Sequence, residues 1–125
     1  MKNPSKILLH KKSKTLELIF EGSSHHLTAE FLRVHSPSAE VKGHGPGQET
    51  LVHSKINVGI KNLKATGNYG LTIIFDDGHD SGIYSWNYIN ELATHHDTLW
   101  QTYLDRLSSA DQSRDPHTSV IQFSP

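Results

Sequence analysis

The chain contains no cysteine. That absence excludes disulfides, thiolate nucleophiles and cysteine ligation of an iron–sulfur cluster by these 125 residues alone. Long apolar runs are also missing. The N-terminal residues lack the apolar core of a signal peptide, and no stretch approaches the ~20 residues that span a bilayer. No membrane partner is therefore expected, and the cytoplasm is the expected location. A charge excess of either sign is absent: 12 Lys+Arg against 13 Asp+Glu leave a net charge of −1. No basic field gathers phosphates, so no nucleic-acid partner is expected. Apolar residues are few, at 34% with a mean hydropathy of −0.51. Such content suits one domain with a modest core and part of the chain left as tail.

Histidine is the one residue in excess. Ten are scattered along the chain, at His10, His25, His26, His35, His44, His53, His79, His95, His96 and His117. Imidazole is intermediate in burial and titrates freely, so most of the ten are read as solvated surface groups.

The apolar pattern predicts an α+β fold. Ile7-Leu8-Leu9 begins a first strand, and Leu16, Leu18 and Phe20 alternate in a second, with Lys11 to Lys14 as the turn. Gly22-Ser23-Ser24 breaks that strand, and His25-His26-Leu27 restarts it. Thr28 is placed as the N-cap of a short helix, Ala29 to Val34, which Pro37 ends. Residues 42–50 are a loop by composition. Ile56, Val58 and Ile60 alternate as a strand, Thr66-Gly67-Asn68 turns, and Leu71, Ile73 and Phe75 alternate again. Asp76-Asp77-Gly78 signals a hairpin with Ile83 and Tyr84 on the partner strand. From Ser85, read as an N-cap, the period changes to three and four across Trp86, Ile89, Leu92, Ala93, His96, Trp100, Tyr103, Leu104 and Leu107. That marks C-terminal helices, with a break near His95-His96 and Asp97 as a second cap. Trp86 and Trp100 are expected in the core. The expected architecture is a small, mainly antiparallel sheet packed by those helices. Residues 1–107 form the domain, and 108–125 are a mostly disordered tail.

Several groups can be weighed as chemistry. His79 lies in an Asp-Gly-His-Asp turn, where Asp76, Asp77 and Asp80 could orient its ring or help hold a metal. Turn formation alone also explains the aspartates. A residual metal site would use His79 with His35 or His44. His95-His96-Asp97 contains an H-x-D pair, with His117 as a third ligand, but it falls in a helical pattern and is rejected as an oxygenase centre. Gly43-His44-Gly45-Pro46-Gly47-Gln48 has no Lys-Ser/Thr pair after it and no strand–helix frame around it, so it is a loop and not a phosphate cradle. No G-x-S-x-G elbow presents a serine nucleophile.

Three segments carry a family resemblance: Leu32-Arg33 before Ser36-Pro37-Ser38; Phe75-Asp76-Asp77-Gly78-His79-Asp80-Ser81-Gly82-Ile83-Tyr84-Ser85-Trp86; and Trp100-Gln101-Thr102-Tyr103-Leu104. From about residue 16 to residue 107 the chain resembles the gamma-butyrobetaine hydroxylase-like N-terminal domain family. The resemblance implies a zinc site of three cysteines and one histidine at positions 36, 38, 41 and 79. Here those positions hold Ser36, Ser38, Val41 and His79. Hydroxyls are poor zinc ligands and an isopropyl group is none. The family includes stand-alone proteins and domains joined to oxygenases or iron–sulfur-carrier ATPases, and the chain looks like a stand-alone member.

The function expected on these grounds is a non-catalytic accessory or protein-interaction domain with a degenerate zinc site. No catalytic residue and no cofactor are expected, and the partner implied is an oxygenase or an iron–sulfur-carrier ATPase. The alternative is a metal-binding protein holding iron or zinc through His79 and its neighbours.

Overall fold

The structure, a computed structural model, describes residues 3–43, 45, 47–121 and 123. The chain opens with an antiparallel meander of β1 (Lys6–His10), β2 (Thr15–Phe20) and β3 (Ser23–Thr28). Strand β2 is central, and its strict alternation places Leu16, Leu18 and Phe20 inward, with Thr15, Glu17 and Ile19 on the outer face. Gly22 takes φ +79° in the β2–β3 turn, a conformation open to glycine without steric cost.

Helix α1 (Ala29–Val34) follows as its sequence predicts. The Thr28 hydroxyl accepts the Phe31 N–H at 3.0 Å and caps it. Every residue of α1 except Arg33 is buried. A second short helix, α2 (Ala39–Lys42), precedes the expected 42–50 loop, takes in only its first residue, and was not foreseen. Its cap is Ser38, which accepts the Glu40 N–H.

The other strands form a second sheet, β4 (Ile60–Thr66), β5 (Gly70–Phe75) and β6 (Ile83–Ser85), again antiparallel. The expected single sheet is thus two sheets of three strands among the described residues. Strand β4 also starts later than the Ile56-Val58-Ile60 alternation suggests. Residues before it are committed elsewhere: Val58 N–H bonds Lys55 O in a turn, Ile56 N–H bonds Arg114 O, and Gly59 N–H bonds the Asp76 carboxylate. The strand runs on through Lys61, Asn62 and Lys64, whose exposed side chains hide it from an apolar pattern.

Ser85 caps α3 (Trp86–Thr94) by accepting the Tyr88 N–H at 3.1 Å. Helix α4 (His96–Ser109) follows after the break at His95. Asp97 is not its cap, since α4 begins at His96 without a side-chain cap, and Asp97 pairs with the neighbouring His96 ring.

Both sheets share one core. Leu16, Leu18 and Leu27 from the first, Leu71, Ile73, Phe75 and Tyr84 from the second, and Ala29, Phe31 and Leu32 of α1 all belong to it. Trp86 and Trp100 pack on its margin half-buried, not enclosed as expected. A smaller cluster of Val34, Tyr103 and Leu107 seats α4.

The segment read as a disordered tail begins inside α4, which runs to Ser109. Beyond it, Ser54 N–H bonds Ser113 O at 2.9 Å, and Arg114 makes a two-pronged pair with the buried Glu30 carboxylate at 2.8 and 2.6 Å. Composition cannot reveal this attachment, because the pair joins residues 84 apart. No helix among the described residues is long and apolar enough to cross a membrane.

Arg114→Ala leaves the Glu30 carboxylate buried without its cation. Allowing for the partial exposure of Arg114, the loss should be about 1–2 kcal/mol, measured by urea denaturation. A variant as stable as the parent would show that Glu30 needs no partner.

Candidate functional site

Pro37 ends α1 and turns the chain so that Ser36 faces inward and Ser38 starts α2. The loop between β5 and β6, residues 76–82, lies against this turn. The two segments meet in a polar cluster. His79 Nε2 lies 2.8 Å from Ser36 Oγ, and His79 Nδ1 lies 3.2 Å from a Glu40 carboxylate oxygen. With Glu40 accepting from Nδ1–H, Nε2 is left to accept the Ser36 proton. Ser36 Oγ in turn accepts the Ser38 N–H at 3.3 Å, and the Ser38 and Ser81 hydroxyls pair at 2.8 Å. Gly82 is required by the closeness of this packing: a Cβ there would stand 2.5 Å from Ser36 Oγ.

Ser36, Ser38, Val41 and His79 are all buried, Ser36 completely. Val41 and Ser36 both line a cavity of about 120 Å³ beside His35 and Tyr88. The structure therefore brings Ser36 and His79 into contact, with Ser38 beside them and Val41 following within α2. Glu40, which completes the cluster, was not singled out by sequence. Its signal is positional, because a residue two beyond a helix cap lies in the first helical turn.

A charged layer supports the loop. Asp77 accepts from Arg33 at 2.8 Å, from Lys55 at 2.6 Å and from the His79 N–H at 3.1 Å. Burial alone would raise the Asp77 carboxyl, but Lys55, the His79 N–H and Arg33 overcome it and hold it at about 2. Burial lowers the His79 imidazole, the Arg33 cation adds to this, and Glu40 and Asp77 oppose it. Asp76 serves the backbone, accepting the Gly59 N–H at 2.9 Å, and Asp80 is exposed. The aspartates around His79 thus act mainly on the turn and its cations.

The serine–imidazole–carboxylate order matches the order of a nucleophilic relay. Its surroundings do not suit one. Ser36 is fully enclosed, its lone pairs engage Ser38, and Gly82 leaves no space for a carbonyl group to approach. Nor does the donor set suit tetrahedral zinc: one imidazole, two hydroxyls and an isopropyl group supply no thiolate and a single good ligand.

The other sequence candidates lie apart. His35 donates Nδ1–H to Phe31 O at 2.8 Å and packs its ring 4.5 Å from Phe31. Burial lowers its imidazole, against the raising effect of that bond. His44 and Pro46 lie outside the described residues, so the His44 candidate has no place in the geometry. His96 pairs with Asp97 on α4, while the His117 N–H bonds Asp115. Beside His35, a concavity of about 430 Å³ runs between Lys42, Tyr88, Glu91, His95 and Leu99, with Lys42 Nζ 4.6 Å above the Tyr88 ring. A more open hollow between Leu51 and α4 holds no converging set of reactive groups.

The imidazole shifts carry a sign for stability. Both His35 and His79 resist protonation when folded, whereas the unfolded chain takes up those protons near pH 6.5. Their contribution is complete above about pH 6.5 and is lost as pH falls below it. Asp77 contributes above its unfolded value and loses that contribution as pH falls towards about 2. Urea midpoints measured from pH 8 to pH 5 should fall on acidification, and less steeply in His79→Gln. An unchanged slope in that variant would mean that His79 titrates as a free imidazole.

A family model described as gamma-butyrobetaine hydroxylase-like, N-terminal, matches residues 7–90. A protein structure solved by NMR in solution is 53% identical, with 100% of this chain and 99% of that one covered and a TM-score of 0.85. A second NMR structure is 41% identical, covering 100% and 95%, with a TM-score of 0.79. A crystal structure of a protein with unknown function of the DUF971 family, from Acidithiobacillus ferrooxidans, is 29% identical over 73% of this chain and 92% of that one, with a TM-score of 0.61. No curated protein matches the chain. With two thirds of its residues inside the family model and close structural relatives along its whole length, the chain belongs to the gamma-butyrobetaine hydroxylase-like N-terminal domain family.

Proposed function

We propose that this chain is a non-catalytic protein-interaction domain with a degenerate zinc site, acting in trans on an oxygenase or an iron–sulfur-carrier ATPase. The observation that carries the reading is the closed Ser36–His79 pair. At the positions where the family resemblance implies metal ligands, the imidazole bonds a fully buried hydroxyl directly. What remains accessible is surface. The concavity beside His35 mixes the Lys42 cation, the Glu91 carboxylate, the Tyr88 ring and the Leu99 side chain. Such a mixture of an aromatic, an apolar group and charges of both signs suits recognition of a protein segment better than a reaction.

The alternative, a metal protein holding iron or zinc through His79, is less well supported. Both His79 ring nitrogens already have partners, and His35 has committed Nδ1 to its own helix.

The interaction role is tested by affinity capture from native lysate, with the chain immobilised through a single N-terminal biotin label. An oxygenase or iron–sulfur-carrier ATPase should be retained by the parent chain and lost with the charge reversal Glu91→Lys. Equal retention by the two, or a turnover activity abolished by Ser36→Ala, would overturn the proposal. The degenerate site has its own test. Ser36→Cys, Ser38→Cys and Val41→Cys combined should yield one tetrahedral zinc per chain, with ligands at about 2.0–2.3 Å measured by X-ray absorption. The same triple variant carrying His79→Ala should bind zinc more weakly. If the triple variant binds no more zinc than the parent, the inherited-site reading fails.

A further inference from the structure

The outer face of the first sheet carries a group unrelated to the His79 cluster. In the β2–β3 register Glu17 stands directly opposite His26, and in the β1–β2 register it stands opposite Leu8. His10 is the next residue of β1 on the same face, so it approaches Glu17 diagonally. His10 Nε2 lies 2.9 Å and His26 Nε2 3.4 Å from the same Glu17 oxygen, Oε1. One ligand atom from each of the three residues lies within 4.8 Å of the others, and the two imidazole rings stack with centroids 6.1 Å apart. Among the described residues this is the one group of three or more histidine and carboxylate side chains gathered so closely.

We infer that His10, Glu17 and His26 form a binding site for a borderline divalent transition-metal ion of the zinc and copper class. The chemistry of the donors selects the class. Two imidazoles and one carboxylate suit zinc, copper or nickel, while calcium and magnesium require mostly oxygen ligands. The geometry fits as well. Ligands at about 2.0–2.2 Å from a tetrahedral ion stand roughly 3.3 Å from one another. Two of the three separations are already near that value, and the third closes by rotation of exposed rings.

The site also has a rigid base. Its three residues lie on paired strands, and the inward neighbours Leu16, Leu18 and Leu27 are fully or almost fully buried. Ligand spacing is therefore set by strand register, not by a loop, which limits the ordering needed when the ion binds. The face is open to solvent, with the His10 and His26 side chains 42% and 57% exposed. Three protein ligands leave at least one coordination position for water or an external donor. The site is separate in residues and in sheet from the family's implied ligand positions, and it does not depend on the interaction role.

The test uses the full chain, purified without a polyhistidine tag and titrated with zinc chloride at pH 7.5. Isothermal calorimetry gives affinity and stoichiometry, and amide and imidazole NMR spectra locate the ion. Saturable binding is expected, with shifts centred on residues 8–10, 15–17 and 26. His10→Ala, Glu17→Gln and His26→Ala should each weaken it at least ~10-fold, the scale on which even supporting residues affect metal affinity. His79→Ala should bind as the parent does. All three strand substitutions are on an outer face, and circular dichroism checks that each variant is folded. Magnesium chloride should cause no comparable shifts. Absence of saturation, shifts centred on His79 or on His95 and His96, or unchanged affinity in all three strand variants would each overturn the inference.

Discussion

The fold depends on the burial of α1, a helix of six residues that could not persist alone. Four distant parts of the chain hold it. Tyr84 of β6 donates its hydroxyl to Leu32 O, and Tyr88 of α3 donates to His35 O at 2.6 Å just past the helix end. Arg33 pairs with Asp77 of the β5–β6 loop, and Glu30 with Arg114 beyond α4. Between these polar ties, Phe31 and Leu32 fill the core shared by both sheets. Burial pushes the Tyr88 hydroxyl up to about 12 and the Tyr84 hydroxyl higher still, so both remain neutral donors at physiological pH.

The same convergence makes the Ser36–His79 pair. Where α1 ends, the chain is already held by Tyr88 and Arg33, so Ser36 meets the β5–β6 loop in a fixed position. Burying an imidazole and a hydroxyl is costly unless they satisfy each other. Here they do so directly, and Glu40 takes the remaining ring proton. The cluster is thus self-sufficient as a packing unit.

Much of the local structure was legible in the sequence because its causes are local. Thr28 and Ser85 were recognised as caps because a hydroxyl three residues before an N–H satisfies it within one turn. Alternation in Leu16, Leu18 and Phe20, and again in Leu71, Ile73 and Phe75, marked strands with one face buried. Helix α2 was missed because it has one turn and only Val41 faces inward. The lysine-rich β4 was placed too early because its ladder, not its side chains, defines it. Ser36 was singled out through family resemblance, and His79 both through that resemblance and from its aspartate-rich turn. Their contact, the role of Glu40 and the His10–Glu17–His26 group depend on which strands and loops become neighbours.

The sequence by itself determined the class of fold, the two hydroxyl caps, the break between α3 and α4 and the absence of thiolate chemistry. Each follows from residue type or from a period of two to four residues, within reach of the local backbone. Tertiary structure alone decided that the six strands among the described residues divide into two sheets and that Arg114 is drawn back to Glu30. It also decided that Glu17 stands between two histidines. Those outcomes rest on pairings between separate segments, selected by the joint burial of apolar faces and the neutralisation of buried charge, which no single stretch of sequence encodes.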